Sequence, residues 1–374
     1  MNRTLSSAIT LFLCGDVMTG RGIDQIMPNP CTPRIHEPYI CDARAYVELA
    51  EDANGPIPRS ADFGYIWGDA LDILKQVGPD VRIVNLETSV TTSEDYWLGK
   101  GINYRMHPGN IACLRAAGID VCSLANNHIL DWGYPGLAET ISTLKKAGLK
   151  VAGAGCSLAE AAAPAIVEIA GKGRVLVFSF GYQTSGIPSE WAAEPDKPGV
   201  NLLPDLSDNI VREIGNSIWR VKHPGDVALA SIHWGGNWGY EIQPEQSAFA
   251  HRLIDQAGVD VIHGHSSHHP QGIEVYHGRP IIYGCGDFIN DYEGISGNKQ
   301  FRGELSMMYF VQVEPATGQL IALKIKPTRM KNLRVQRANR TESLWLKEML
   351  NREGERLGTW VDMEENATLD LRWE

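Results

Sequence analysis

The sequence predicts an α/β protein, and three observations carry that expectation. One unit recurs three times, an amphipathic helix closed by Ala-Gly and followed at once by a short apolar strand: Leu114–Leu124, Leu144–Gly153 and Ile254–Ile262. Further apolar runs read as buried strands at 8–14, 81–85, 165–170, 174–180, 226–232, 273–277 and 280–284. Most of the polar clusters that could carry chemistry stand at the carboxyl ends of such runs, where open α/β sheets bind ligands.

Taken in order, the three glycines of the repeat, Gly118, Gly148 and Gly258, are placed as left-handed helix caps. The strands behind them are short and apolar throughout, as in a sheet buried on both faces. The recurrence is a supersecondary unit and not a solenoid period. Toward the C-terminus the pattern alternates: Met307–Val313 and Leu320–Ile325 read as an antiparallel pair joined by Pro315-Ala-Thr-Gly318. Residues 341–353 read as an amphipathic helix and the last dozen as a tail. The expected organisation is one catalytic domain over 1–335 and a C-terminal helix and tail over 336–374. Residues 27–64, rich in Pro and turn formers, interrupt the path from the first strand to a helix near 65–77. Such an insertion beside a site either shapes substrate access or only packs.

Composition limits the function classes. The 374 residues are 43% hydrophobic and 21% charged, an ordinary globular balance. A formal net charge of -11, with no Lys/Arg run longer than two, argues against a nucleic-acid surface. No stretch approaches the roughly 18 apolar residues of a membrane span. Arg3 followed by the apolar run Ala8–Cys14 faintly resembles a lipoprotein signal. The run is short, the residues before Cys14 are bulky and Gly15-Asp16 follow directly, so it reads as a buried strand in a cytoplasmic protein. Seven scattered cysteines form no disulfide framework and no CxxC, although Cys31 and Cys41 flank a Pro-rich loop and could pair.

The strand-end clusters are Gly15-Asp16, Asn85-Leu-Glu87, Asn126-Asn-His128, His233-Trp-Gly235, His263-Gly-His265-Ser-Ser-His268-His269 and Gly286-Asp287. Each alone is a weak signal. A single His or a Gly-Asp turn is commonly structural. Four imidazoles in seven residues rarely serve packing alone, and six clusters at six strand ends can converge on one pocket. Together they read as a metal site. Carboxylate, amide carbonyl and imidazole donors without thiolate suit Mn, Fe, Zn, Ni or Mg. A bridging carboxylate would make it a two-metal site that binds both the attacked oxygen and the water.

In this order the motifs Cys14-Gly-Asp-Val-Met-Thr-Gly-Arg21, Val84-Asn-Leu-Glu87, Ala125-Asn-Asn-His128 with Asp131-Trp-Gly133, His233-Trp-Gly235 and Gly264-His-Ser-Ser-His268 with Gln271-Gly resemble the CapA family of poly-γ-glutamate capsule biosynthesis proteins. That family belongs to the calcineurin-like metallophosphoesterase superfamily. The resemblance runs from about residue 8 to 330. It implies a four-layer α-β-β-α sandwich with two mixed sheets, and one or two divalent ions (Mn, Fe, Zn or Mg). Asp16 would bind the first metal and share in catalysis. Glu87 would bridge, Asn127, His233 and His265 would bind the second metal, and His268 would return to the first. His128 matches the catalytic His. Two departures stand out: the superfamily's Asp-x-His is Asp16-Val-Met18 here, and the His265/His268 pair is spaced one residue wider than His-x-His.

The resemblance implies a metal-dependent hydrolase or transferase acting on an anionic or peptide-like substrate, with capsule-synthesis proteins as partners. Two other readings use the same residues. A carboxylate and a His facing each other across a peptide would make an epimerase. A binding module without turnover would make an accessory subunit of a polymer-synthesis complex. Arg21 and Arg105 either clamp the substrate's anionic group or form salt bridges. Asp287 could support a ligand His from behind, Asp291, Tyr292 and Glu293 could line the entrance, and Trp132, Trp234 and Trp238 form either a pocket wall or core.

Overall fold

A computed structural model describes residues 8–295 and 297–374, so Arg3 lies outside the described residues. The chain is a mixed α/β protein built on two large mixed sheets. One runs in the order 359–363, 369–373, 319–330, 305–314, 9–17, 81–86, 121–123 and 150–152, with 287–289 beside 9–17 and 335–337 beside 319–330. The other runs 202–203, 173–182, 227–233, 261–265, 279–282 and 273–276, with 165–169 beside 173–182. The expected strands are all present within a few residues.

Period-two alternation sorts each strand between two apolar layers. In Ile9–Val17, residues Ile9, Leu11 and Leu13 enter a cluster shared with Val175, Val177, Val227, Leu229 and Val261 of the other sheet. Phe12 and Cys14 turn the opposite way, toward Ile73, Leu74 and Leu137 of helices Asp69–Val77 and Gly133–Lys146. Leu176, Phe178, Ala228, Ala230 and Ile232 likewise pack on Val211, Ile214, Phe249 and Leu253 of helices Asp208–Trp219 and Pro244–Ala257. The repeat glycines do cap their helices left-handed, with φ of 62°, 81° and 79° at Gly118, Gly148 and Gly258.

Two expectations about the chain's periphery change. The last dozen residues are not a tail: Thr359–Met363 and Leu369–Trp373 pair antiparallel and extend the larger sheet, burying Val361, Leu369 and Leu371. The insertion over 27–64 is not bare loop, since it contains the helix Arg44–Asn54 and lends Glu37, Tyr39, Tyr46 and Leu49 to the wall of a large cavity. Cys31 and Cys41 are both free thiols. No helix of the described residues is long and apolar enough to cross a membrane.

Candidate metal centre

Strand pairing brings the polar clusters together. In adjacent parallel strands, register partners present their side chains on the same face. His233 is the partner of His265, and Asp16 is the partner of both Asn85 and Asp287. The two sheets therefore deliver carboxylates from one side and imidazoles from the other to the same strand ends. Gly15 makes the approach possible, because a Cβ there would lie 1.5 Å from the carbonyl oxygen of Gly286.

The donor atoms of Asp16, His233 and His265 all lie within 4.8 Å of one another, and all three residues are buried. His265 Nδ1 is 3.8 Å from Asp16 Oδ1 and 2.8 Å from His233 Nδ1. His233 Nε2 is 3.2 Å from Asn127 Oδ1 and 3.9 Å from Glu87 Oε1. Asn85 Nδ2 spends both protons here, donating to Asp16 Oδ1 at 2.7 Å and to Glu87 Oε2 at 3.3 Å. Asn126 Nδ2 holds Asn85 in place by donating to its Oδ1 at 3.0 Å. Asp16, expected to pair with His268, is thus grouped instead with the histidines assigned to the second metal.

The cluster fits a divalent cation. Burial, then the nearby Asp287 carboxylate, pushes the Asp16 carboxyl up to about 7. Burial followed by Asp16 and Asp287 pushes Glu87 well above the usual carboxylate range. Burial and neighbouring imidazoles push His233 and His265 well down, so both rings are neutral near pH 7 and free to offer a lone pair. Neutral His233 has one ring proton, and its two nitrogens face His265 Nδ1 and Asn127 Oδ1. Asp287 Oδ1 is buried with no hydrogen-bond partner. Crowded buried carboxyls that hold protons near neutral pH, beside an unpartnered carboxylate oxygen, are what a cation would relieve by displacing those protons.

His128 stands beside this group with Nε2 3.7 Å from Glu87 Oε1 and Nδ1 2.6 Å from Asp131 Oδ2. Burial lowers its pKa to about 4, outweighing Asp131. The neutral ring turns Nδ1 to the Asp131 carboxylate and the Lys100 ammonium, and Nε2 to Glu87. Tyr104 packs edge-on against the ring, 4.5 Å between centroids. His268 lies in the wall of a cavity of about 1180 Å³ that Asp287, Asn290, Tyr292 and Trp238 also line. Its Nδ1 is 2.9 Å from Asp287 Oδ2, and its pKa is raised because Asp287 overcomes the effect of burial. The extra residue between His265 and His268 is absorbed at Ser266, whose φ of 105° is rare for a residue with a side chain. Its backbone N–H donates to Asp16 Oδ2 at 3.2 Å, so the unusual turn also orients the carboxylate.

The family described as "Bacterial capsule synthesis protein PGA_cap" matches residues 10–292, which span every residue of this centre. The chain belongs to that family. Among relatives, a "Probable polyglutamine synthesis accessory protein" of Mycobacterium tuberculosis is 47% identical over 94% of this chain and 93% of its own length. The "PGA biosynthesis protein CapA" of Bacillus subtilis is 27% identical over 74% of this chain and 62% of its length. The "Capsule biosynthesis protein CapA" of Bacillus anthracis is 28% identical over 51% of this chain and 45% of its length.

Within this capsule-synthesis family chain, the arginines expected to bind substrate are occupied internally. Arg21 lines the cavity but pairs with Asp291 and, at 2.9 Å, with Glu37, while its guanidinium stacks on Tyr46. Arg105 pairs with Glu94 at 2.8 Å, donates to Ser93 O and Thr32 Oγ1, and lies over Trp132. Trp132 and Trp234 are core, whereas Trp238 stacks on His268 at the cavity wall. Tyr292 and Glu293 line the cavity, and Asp291 is buried against Arg21. Lys100 is the residue that the strand-end pattern missed. Its ammonium contacts Asp131, the carbonyl of Asn127 and, at 2.9 Å, His128 Nδ1. It comes from the loop segment Gly99-Lys-Gly101, where no strand end marks it.

Proposed function

We propose that this chain is a metal-dependent hydrolase or transferase acting on poly-γ-glutamate, or on an acyl or phosphoryl intermediate of its synthesis. The observation that carries the reading is the buried convergence of Asp16, His233 and His265 donor atoms within 4.8 Å, next to the uncharged His128. The three apolar clusters support reading the fold as the four-layer α-β-β-α sandwich of metallophosphoesterases. Asp16, His233, His265, Asn127 and Glu87 would hold the cation. A bound divalent ion polarises the attacked oxygen and lowers the pKa of water.

The remaining work falls to side chains. Neutral His128 accepts a proton at Nε2 and returns it to the leaving group. Asp131 keeps the other nitrogen protonated and steadies the imidazolium once formed. The cavity lined by His268 and Asp287 would hold the extended anionic or peptide-like chain. Metal-stripped protein reloaded with Mn²⁺, Zn²⁺ or Mg²⁺ should turn over one class in a screen of phosphoester, γ-glutamyl and peptide substrates. Asp16→Ala and His265→Ala should lose that turnover. Full activity of metal-free protein would sink the reading.

The relatives' printed word "accessory" favours a second reading, in which the chain binds capsule-synthesis partners without turnover. That reading expects partner capture to survive Asp16→Ala with no substrate consumed. An epimerase needs its two bases on opposite sides of the substrate. Glu87 and His128 lie only 3.7 Å apart, too close to face each other across a bound peptide, which disfavours that pair.

A further inference from the structure

Behind His265 lies a chain of buried hydrogen bonds that crosses from one sheet to the other. His263 Nε2 is 2.7 Å from the carbonyl oxygen of Cys14, on the first strand of the larger sheet. A carbonyl only accepts, so His263 carries its proton on Nε2. Ser231 Oγ is 3.1 Å from His263 Nδ1 and 2.9 Å from His265 Nε2. Ser123 Oγ donates to the same Ser231 Oγ at 2.8 Å. Ser123, Ser231, His263 and His265 are all inaccessible to solvent at 0% exposure, so these hydrogen bonds are shielded from bulk water.

Proton counting then leaves one arrangement for a neutral His263. Its Nδ1 has only a lone pair, so the Ser231 hydroxyl donates to it. Ser231 has one proton and has now used it, so its oxygen is the acceptor for both Ser123 Oγ–H and His265 Nε2–H. The proton of His265 is thereby on Nε2, and Nδ1 presents its lone pair toward Asp16 and His233. We infer that Ser231 and His263 are positioning residues that lock His265 in this tautomer, anchoring its orientation to the backbone of Cys14. The inference rests on the proposed metal centre for its purpose, but not for its geometry.

The backing differs from that of His268, whose second nitrogen meets the Asp287 carboxylate. A carboxylate raises the basicity of the ligand nitrogen, whereas a hydroxyl acceptor fixes the ring with little added charge.

The test is a long-range ¹H–¹⁵N correlation spectrum of the histidines in metal-stripped protein, followed by Mn²⁺ titration. Wild type should show His265 protonated on Nε2. Ser231→Ala should lose that single tautomer and bind Mn²⁺ about 10–100-fold more weakly, the usual effect of removing the group behind a ligand histidine. Ser123→Ala is the control: it removes an equally buried hydroxyl yet leaves the Ser231 proton and the His265 acceptor in place, so it should keep the wild-type tautomer. A proton on Nδ1 of His265 in wild type overturns the inference even if Ser231→Ala fails to fold. Equal loss of affinity in both serine variants also overturns it, since that is a packing effect. The expected tautomer in a wild type that binds no metal would instead overturn the metal centre and leave the hydrogen-bond chain standing.

Discussion

At the scale of single residues, Lys100 is the strongest addition to the candidate site. Burial lowers its pKa, and the bonded Asp131 and the charge of Glu87 act the other way. Its ammonium joins the backbone carbonyl of Asn127 to the Asp131–His128 pair, so in the proposed mechanism it would link the cation site to the proton-transfer group. Lys100→Met should keep the fold but reduce turnover by about 10–100-fold, the range for a group that orients a ligand. His128→Ala should cost more, about 10²–10⁴-fold, as for loss of a general acid–base. The measurement is kcat on the substrate found in the screen, and equal activity of wild type and Lys100→Met would remove Lys100 from the account. The same comparison shows what was legible. Asp16, Glu87, Asn127, His128, His233 and His265 all announce themselves by following apolar strands. Lys100 sits between glycines in an irregular loop, where a lysine is ordinarily solvated. Arg21 and Arg105 look available in sequence because their partners Asp291 and Glu94 stand 270 and 11 positions away, with no local pattern linking them.

Among the elements, the junction of three strands at Asp16 decides whether the site exists. Strand Ile9–Val17 is flanked by 81–86 and by 287–289 at the same point, and both pairings shift register beside Asp16. Gly15→Ala would force a Cβ to within 1.5 Å of Gly286 O, which is backbone and cannot swing away. We expect a loss of about 3 kcal/mol in urea unfolding, near the upper end for overpacking, and weaker metal binding because Asp16 and Asp287 are pushed apart. Gly118→Ala, at a left-handed cap far from Asp16, should cost stability while sparing metal affinity. If Gly15→Ala unfolds and binds Mn²⁺ like wild type, the junction has no part in the site. The elements themselves were readable where burial was two-sided, as in Val227–His233, whose residues are all buried. The C-terminal hairpin was not. It buries only Val361, Leu369 and Leu371 fully in the core, with Met363 and Trp373 half-buried beside them and Trp360 and Arg372 exposed, so its alternation is too short to stand out.

For the molecule as a whole, two sheets enclose carboxylates and imidazoles that are costly to bury without a counter-ion. The sign for Asp16 follows from its raised pKa. Without metal, its contribution to stability is fully present below its ordinary value of 3.8 and is lost as pH rises through about 7, because the fold disfavours the charged form. A bound cation reverses that preference and also needs His233 and His265 unprotonated. Stabilisation by metal should therefore grow as pH rises from 5.5 to 7.5. The thickness and placement of this interior could be read from strand patterns, but the sharing of Asp16 between strand partners could not, since it depends on register. The central claim is that Asp16, His233 and His265 form a metal centre. Its most direct test is thermal unfolding of metal-stripped wild type and His265→Ala, with and without Mn²⁺, at pH 5.5 and 7.5. At a hundredfold excess over Kd the ion should add about 2.7 kcal/mol to wild type, a shift of a few degrees in Tm at pH 7.5, less at pH 5.5, and almost none in His265→Ala. No shift in wild type at either pH, or an equal shift in His265→Ala, would contradict the claim.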